Sequence, residues 1–315
     1  MKNIIKHIIL CFATLLFMQC DGNDPNLEYV APENPDISSV NDQYLYSNNG
    51  HSLFELYGTA TRWRWNDNYI DPTQRATPIK SDFVIPATKL INHLWIGSYA
   101  ASGTSAANFI KELFPAELVY IGSYIYKEDG TILLGYAEGG ARVTILNLNS
   151  LDYQDRDWMT RPGGGILATV HHEFSHIVHQ NYGLPVGFNK ISDTYLGNNW
   201  SNGVSKEDAI KLGMVRNYGT LNEYEDFCEI ISHLLVTDPE SFEEDFIAQE
   251  DCTTYTDAGD IVNCQELNEG RLLIKKKVDL VVEYYKNSFN VDLLAVRDSL
   301  QVRLNKVIET NEIPD

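Results

Sequence analysis

Basic residues are scarce in this chain. Only 24 lysines and arginines stand against 44 aspartates and glutamates in 315 residues, a formal net charge of −20. A surface so acidic repels phosphate backbones, which argues against nucleic acid as a partner. No internal repeat or low-complexity tract breaks the chain, so solenoid and fibrous architectures are excluded. No shift in composition is strong enough to divide it into independent domains. No apolar run reaches the roughly 20 residues that span a bilayer. What is present is ordinary for a folded protein: 43% apolar residues, enough to build a core, and 22% charged.

The longest apolar run, Ile8 to Met18, follows Lys2 and Lys6 and ends at Cys20. A basic head and a short apolar stretch make an export signal, expected over residues 1–19. Cys20 leads straight into Asp21, Gly22, Asn23 and Asp24, which resembles a bacterial lipoprotein signal with Cys20 as the lipidated residue. The acidic residues after it resemble the surface-export signal of Bacteroidetes-type lipoproteins. Residues 20–50, rich in Asn, Asp, Pro and Ser, read as a flexible tether, and residues 51–315 as one folded domain. Of five cysteines, Cys252 and Cys264 flank a polar stretch and suit a disulfide in an oxidising compartment, while Cys228 falls on an apolar helical pattern and reads as a core residue.

Periodicity and turn signals then order the domain. Phe54 to Trp65 is expected as a strand, Ile85 to Tyr99 and Ser105 to Leu113 as helices. Leu118 to Tyr126, Ile132 to Tyr136 and Ala141 to Leu148 are expected as strands joined by turns at Glu128-Asp129-Gly130 and Glu138-Gly139-Gly140. The second half reads as mostly helical: from the glycines at 163–165 to Gln180, from Ser205, Asn222 to Leu235, Pro239 to Ala248, and two C-terminal helices. The class is therefore α+β, with a small mixed sheet in the first half.

Residues 171–180 read His-His-Glu-Phe-Ser-His-Ile-Val-His-Gln and contain H-E-x-x-H at His172, Glu173 and His176. Positions i and i+4 share a helix face one turn apart, so both imidazoles reach one tetrahedral ion. Glu173 then points to the side where a water would stand, the place of a general base. Ile166, Val170, Phe174, Ile177 and Val178 form an apolar stripe for the core. The ordinary alternative is an exposed helix with solvated histidines; the apolar back face argues against it. His179 shares the face but lies a further turn along, and reads as a groove or supporting residue, or a core histidine. His171 faces away, solvated or structural.

A third ligand is expected downstream, where Glu225 and Glu229 are i and i+4 on a second helix. Glu225 is placed to reach the ion and Glu229 to accept a hydrogen bond from a ligand imidazole. Tyr218, seven residues before Glu225, is placed to meet a developing oxyanion. Glu223 and Asp226 read as a solvated acidic face.

The H-E-x-x-H segment with its downstream glutamates resembles the gluzincin metallopeptidases. The order Tyr218, Glu225, Glu229 is similar to the catalytic domain of anthrax lethal factor. Together with Trp63-Arg64-Trp65, Phe114-Pro115 and the run from Leu134 to Gly140, it resembles the zinc-binding metallopeptidase lipoproteins of Bacteroidetes over residues 55–240. The resemblance implies a zincin-like fold, a Zn²⁺ ion on His172, His176 and Glu225, and a catalytic role for Glu173 and Tyr218. It also implies a peptide or protein substrate and a position at the outer membrane or cell surface, held by the lipid on Cys20. Outer-membrane nutrient-uptake proteins are candidate neighbours. The expected activity is peptide-bond hydrolysis, with Glu173 taking a proton from water at the ion. A peptide is expected along an edge strand, for which Ile132 to Tyr136 is the candidate. Two other readings stay open: a lipid-anchored binding protein with a structural or inactive zinc site, and a zinc amidohydrolase that does not act on peptides.

Overall fold

The structure, a computed structural model, describes residues 39–128, 132–133, 136–138 and 141–314. The expected leader, Cys20 and the tether up to residue 38 lie outside the described residues.

Four strands build the main sheet: β1 (Ala60–Arg62), β2 (Glu117–Tyr120), β5 (Tyr136–Glu138) and β6 (Arg142–Ile145), in the order β1-β2-β6-β5. The first three neighbours pair in parallel, whereas β5 runs antiparallel to β6 and forms one edge. A separate ribbon pairs β3 (Ile125–Tyr126) with β4 (Ile132–Leu133). Leu118, Val119, Tyr120, Val143 and Ile145 are all buried, the near-continuous apolar reading of strands covered on both faces.

Helices α1 (Val40–Tyr46), α2 (Leu53–Tyr57), α3 (Ser81–Leu90), α4 (Gly97–Ser102) and α5 (Thr104–Leu113) belong to the first half. A π-helical segment, Ile91–Ile96, joins α3 to α4, so the helix expected from Ile85 to Tyr99 carries one widened turn. In the second half stand α6 (Arg156–Thr160), α7 (Ile166–Tyr182), α8 (Lys206–Lys211), α9 (Glu223–Val236), α10 (Pro239–Phe246), α11 (Ala258–Phe289) and α12 (Leu293–Thr310). Capping explains the starts. Ser205 and Asp208 form a reciprocal capping box at α8. Gly165 precedes α7, where a Cβ would lie 2.5 Å from the Arg161 amide nitrogen, so only glycine fits.

The core runs between the sheet and these helices. Trp95, Tyr99, Phe109, Phe174 and Tyr285 meet there, each buried. Each fully buried Leu or Phe side chain on this seam stabilises the fold by about 1.5–3 kcal/mol. α7 and α9 cross within it, tied by the Ser232 hydroxyl, which donates to the Ala168 carbonyl oxygen at 2.8 Å.

Three expectations are corrected. The tether expected through residue 50 already contains α1: Ser39 caps it, accepting from the Asp42 amide at 3.1 Å. Asp42 is fully buried, hydrogen-bonded by Trp63 at 3.0 Å and paired with Arg64, so a polar segment is anchored by one charge. The strand expected from Phe54 to Trp65 is a helix followed by a short strand, because Ser52 caps α2 and Gly58, at φ 72°, ends it. The strand expected over Ile132 to Tyr136 divides between two sheets, and Tyr136–Glu138 is one of the two edge strands of the main sheet. The stretch between Cys252 and Cys264 is helical from Ala258, capped by Asp257. The two cysteines are joined there, with Cα atoms 5.7 Å apart.

Candidate metal centre

α7 and α9 place one side-chain cluster at their crossing. α7 has an apolar face that fixes its rotation: Ile166, Val170, Phe174, Ile177 and Val178 are all buried. That rotation turns His172 and His176 toward α9. α9 starts at Asn222, whose side-chain oxygen accepts from the amides of Tyr224 and Glu225 at 2.9 and 3.0 Å. The cap therefore fixes the backbone that carries Glu225.

Three atoms converge. His172 Nε2 lies 3.2 Å from His176 Nε2 and 3.1 Å from Glu225 Oε2, and His176 Nε2 lies 3.3 Å from the same oxygen. A tetrahedral ion with bonds of 2.0–2.1 Å spaces its ligands about 3.3–3.4 Å apart. The triangle fits a zinc ion to within the scatter of such distances. Side-chain exposures of 12, 16 and 14% keep the three residues in partial contact with solvent.

Each histidine is gripped on its far nitrogen as well. Glu229 Oε1 stands 3.2 Å from His172 Nδ1. Arg216 forks onto Glu229, donating from Nε to Oε2 at 2.8 Å and from Nη2 to Oε1 at 2.6 Å. The Arg216 guanidinium in turn needs Gly163: a Cβ there would lie 1.7 Å from Arg216 Nη1. His176 Nδ1 lies 2.8 Å from His179 Nε2. With Nε2 of His176 facing the centre, its proton sits on Nδ1 and His179 accepts it. His179 thus meets His176 on the nitrogen that faces away from the three converging atoms. Such partners orient ligand rings and raise their basicity.

Charge at the cluster calls for a cation. Burial opposes the charged form of His172, yet its hydrogen bonds to Glu225 and Glu229, and the charges of Glu229 and Glu173, push its pKa up to about 10. Burial disfavours the Glu225 carboxylate, but His172 and His176 bring its pKa down to about 2. Burial alone would raise Glu229, whereas Arg216 and His172 hold it far below the ordinary carboxylate range. Glu173, Glu225 and Glu229 thus surround His172 and His176, with Arg216 forked onto one of the three.

Glu173 is buried at 6% exposure, next to His172 on α7. Tyr218 lies on a short 3₁₀ turn before α9, its ring centroid 6.0 Å from that of His172. Trp200 packs edge-on to Tyr218 at 4.8 Å, and the Arg216 guanidinium lies 5.4 Å from the same ring. Burial and the charges of Glu225, Glu173 and Glu229 push the phenol pKa up, so it stays a donor at neutral pH.

His171 takes the structural of its two readings: it is buried against Trp95 and Tyr99, and burial drives its pKa down to about 3. One residue departs from expectation. Asp226, read as solvated, is fully buried and paired with Lys277 at 2.6 Å. Cys228 is buried as expected, but its sulfur and the imidazole nitrogens of His172 and His176 lie within 4.8 Å of one another. Glu225 Oε2 stands at 3.1 and 3.3 Å from the two imidazoles. Burial and the charges of Glu225, Glu173 and Glu229 push the thiol pKa up. Arg216 and Trp200 were not legible in the sequence; no spacing marks them. The only hint was an arginine two residues before Tyr218 in an acidic chain.

Comparison with known proteins bears on the same region. No curated protein matches the sequence. Among solved structures, the fold matches one described as a "putative zinc-binding metallo-peptidase" from Bacteroides caccae. The TM-score is 0.64 and the identity 25%, over 85% of this chain and 93% of that one. Residues 38–294, a span that includes both α7 and α9, match a family model. The chain belongs to that family, described as "Putative zinc-binding metallo-peptidase".

Proposed function

We propose that this protein is a gluzincin-type zinc metallopeptidase of the zincin fold, anchored to the cell envelope through a lipid on Cys20. One observation carries the enzymatic part: His172, His176 and Glu225 converge at zinc-ligand spacing with an acid–base candidate, Glu173, beside them. A zinc ion held there supplies Lewis acidity toward a carbonyl oxygen and toward water. His172 and His176 offer Nε2, their rings locked by Glu229 and His179. Glu173 takes the proton of the attacking water as its oxygen bonds to the scissile carbon. It returns that proton to the amine nitrogen as the carbon–nitrogen bond breaks. The Tyr218 phenol donates a hydrogen bond to the tetrahedral oxyanion. β5 supports the placement of a peptide: it is the antiparallel edge of the sheet and packs beside α7, so an extended substrate added to it runs past the centre. The active-site pattern resembles that of anthrax lethal factor in the order Tyr218, Glu225, Glu229.

A peptide-library digest of the zinc-loaded protein tests the reading, with Glu173→Gln in parallel. Cleavage by the parent and at least a 10²-fold loss in Glu173→Gln at unchanged zinc content is the expected outcome, as for removal of a general base. Equal cleavage by both, or none by the parent, contradicts it.

A further inference from the structure

Lys277, in the middle of α11, is a fully buried cation. Its ammonium donates to Asp226 Oδ2 at 2.6 Å and to the Gly213 carbonyl oxygen at 2.8 Å. The Phe188 ring lies beside it, 5.8 Å from Nζ to the centroid. Gly213 and Asp226 are the two ends of one stretch of chain, and between them lie Arg216, Tyr218 and Glu225. We propose that Lys277 is a positioning residue for the metal centre: one ammonium holds both ends of residues 213–226 and so fixes where Arg216, Tyr218 and Glu225 stand. What those three residues do rests on the metallopeptidase reading; that they are held rests on the contacts alone.

The stretch has little else to fix it. Between α8 and α9 the chain makes only the 3₁₀ turn Asn217–Thr220. Connections with so few internal hydrogen bonds open locally at low cost unless tied down. α11 supplies the rigid side of the clamp, pressed against the start of the stretch. A Cβ on Gly270 would lie 1.8 Å from the Ile210 carbonyl oxygen, and one on Gly213 would lie 2.7 Å from Leu273 Cβ.

Asp226 gathers a second tie. The Tyr195 hydroxyl donates to the same Oδ2 at 3.0 Å, and the next amide, Leu196, donates to the Thr220 carbonyl oxygen at 2.7 Å. Trp200, five residues beyond Tyr195, is the residue that packs edge-on to Tyr218. The segment that lays Trp200 against the phenol therefore hangs from the carboxylate that Lys277 holds. Stability alone does not call for such a pair, because apolar residues in place of a buried ion pair often leave stability unchanged or raise it. Position does call for it, since a shift of about 1 Å in a reacting group can cost about 10²-fold in rate.

Hydrogen exchange read by mass spectrometry, and turnover of a peptide that the parent cleaves, test the clamp at saturating zinc. The variants are Lys277→Met and the double variant Lys277→Met, Asp226→Asn. The double variant carries no stranded charge, so it keeps the fold if the single one does not. Exchange across residues 214–221 should become at least about tenfold faster, with α12 at the parent's rate. Turnover should fall about 10–100-fold in both variants with KM within about twofold. Stability regained through Asp226→Asn should not bring turnover back, because the Gly213 carbonyl oxygen still lacks its donor. Parent-like exchange at 214–221 overturns the proposal, and so does loosening spread equally over α12, which a purely structural pair would give. Parent-like turnover in the double variant overturns it too. If the parent cleaves no peptide, the metallopeptidase reading fails, while exchange at 214–221 still decides the clamp.

Discussion

Replacing Arg216 with methionine isolates the support of the metal centre from the centre itself. Methionine keeps much of the aliphatic stem and removes the fork that donates to Glu229 at 2.8 and 2.6 Å. Glu229 then remains a carboxylate with a side chain only 4% exposed and loses its one guanidinium. Stripping one partner from a buried pair costs about 3–5 kcal/mol. Arg216 itself is 25% exposed, so water can reach part of the gap, and the lower end, about 3 kcal/mol, is the expected loss. At roughly 2–4 °C per kcal/mol for a chain of this size, the metal-free protein should melt about 6–12 °C lower. Zinc affinity should fall about 10–100-fold, because Glu229 no longer holds His172 Nδ1 in one orientation. The double variant Arg216→Met, Glu229→Gln removes the stranded charge and should recover at least about 1 kcal/mol over Arg216→Met alone. Thermal melts and competitive zinc titration read both quantities. A melt shifted by less than about 2 °C with unchanged zinc affinity would refute the chain of support from Gly163 through Arg216 to His172.

Lys277→Met should destabilise by about 3–5 kcal/mol, because Lys277 and Asp226 are both fully buried and paired at 2.6 Å. Adding Asp226→Asn should restore part of it, and a melt that the second change lowers further contradicts the pairing. Zinc loading should release a proton at pH 7.5, measured calorimetrically in two buffers of different ionisation enthalpy. The sign follows from His172, whose folded pKa is raised from 6.5 to about 10: the ring carries a proton at pH 7.5 and must lose it to become a ligand. The same shift stabilises the metal-free protein fully below about pH 6.5, a contribution lost as pH rises through about 10. Loading without proton release contradicts the His172–Glu225–Glu229 arrangement.

The helix that carries His172 and His176 was readable because its two requirements, apolar stripe and histidine spacing, share one period. Glu225 and Glu229 followed from the same i, i+4 logic. The partners that hold Glu229 and Asp226 in place were hidden for a different reason. Arg216 reaches Glu229 through a 3₁₀ turn, and Lys277 reaches Asp226 from α11, fifty-one residues on; neither contact has a local signature. Composition misled where a single buried charge outweighed it. Residues around Asp42 looked like tether, yet Asp42 binds Trp63 and Arg64 and pins α1 to the domain. At Phe54, capping by Ser52 and Gly58 outweighed strand propensity. Tyr136–Glu138 shows the remaining limit: which short strand joins which sheet depends on partners far along the chain.

X-ray absorption of the zinc-loaded protein tests the central assignment most directly, because it reads the atoms bound to the ion. His172, His176 and Glu225 with an open fourth position predict a shell of nitrogen and oxygen alone, at about 2.0–2.1 Å. The alternative donor is Cys228, whose sulfur lies within 4.8 Å of the two imidazoles. A sulfur shell at about 2.3 Å would contradict the account and give the third position to the thiol.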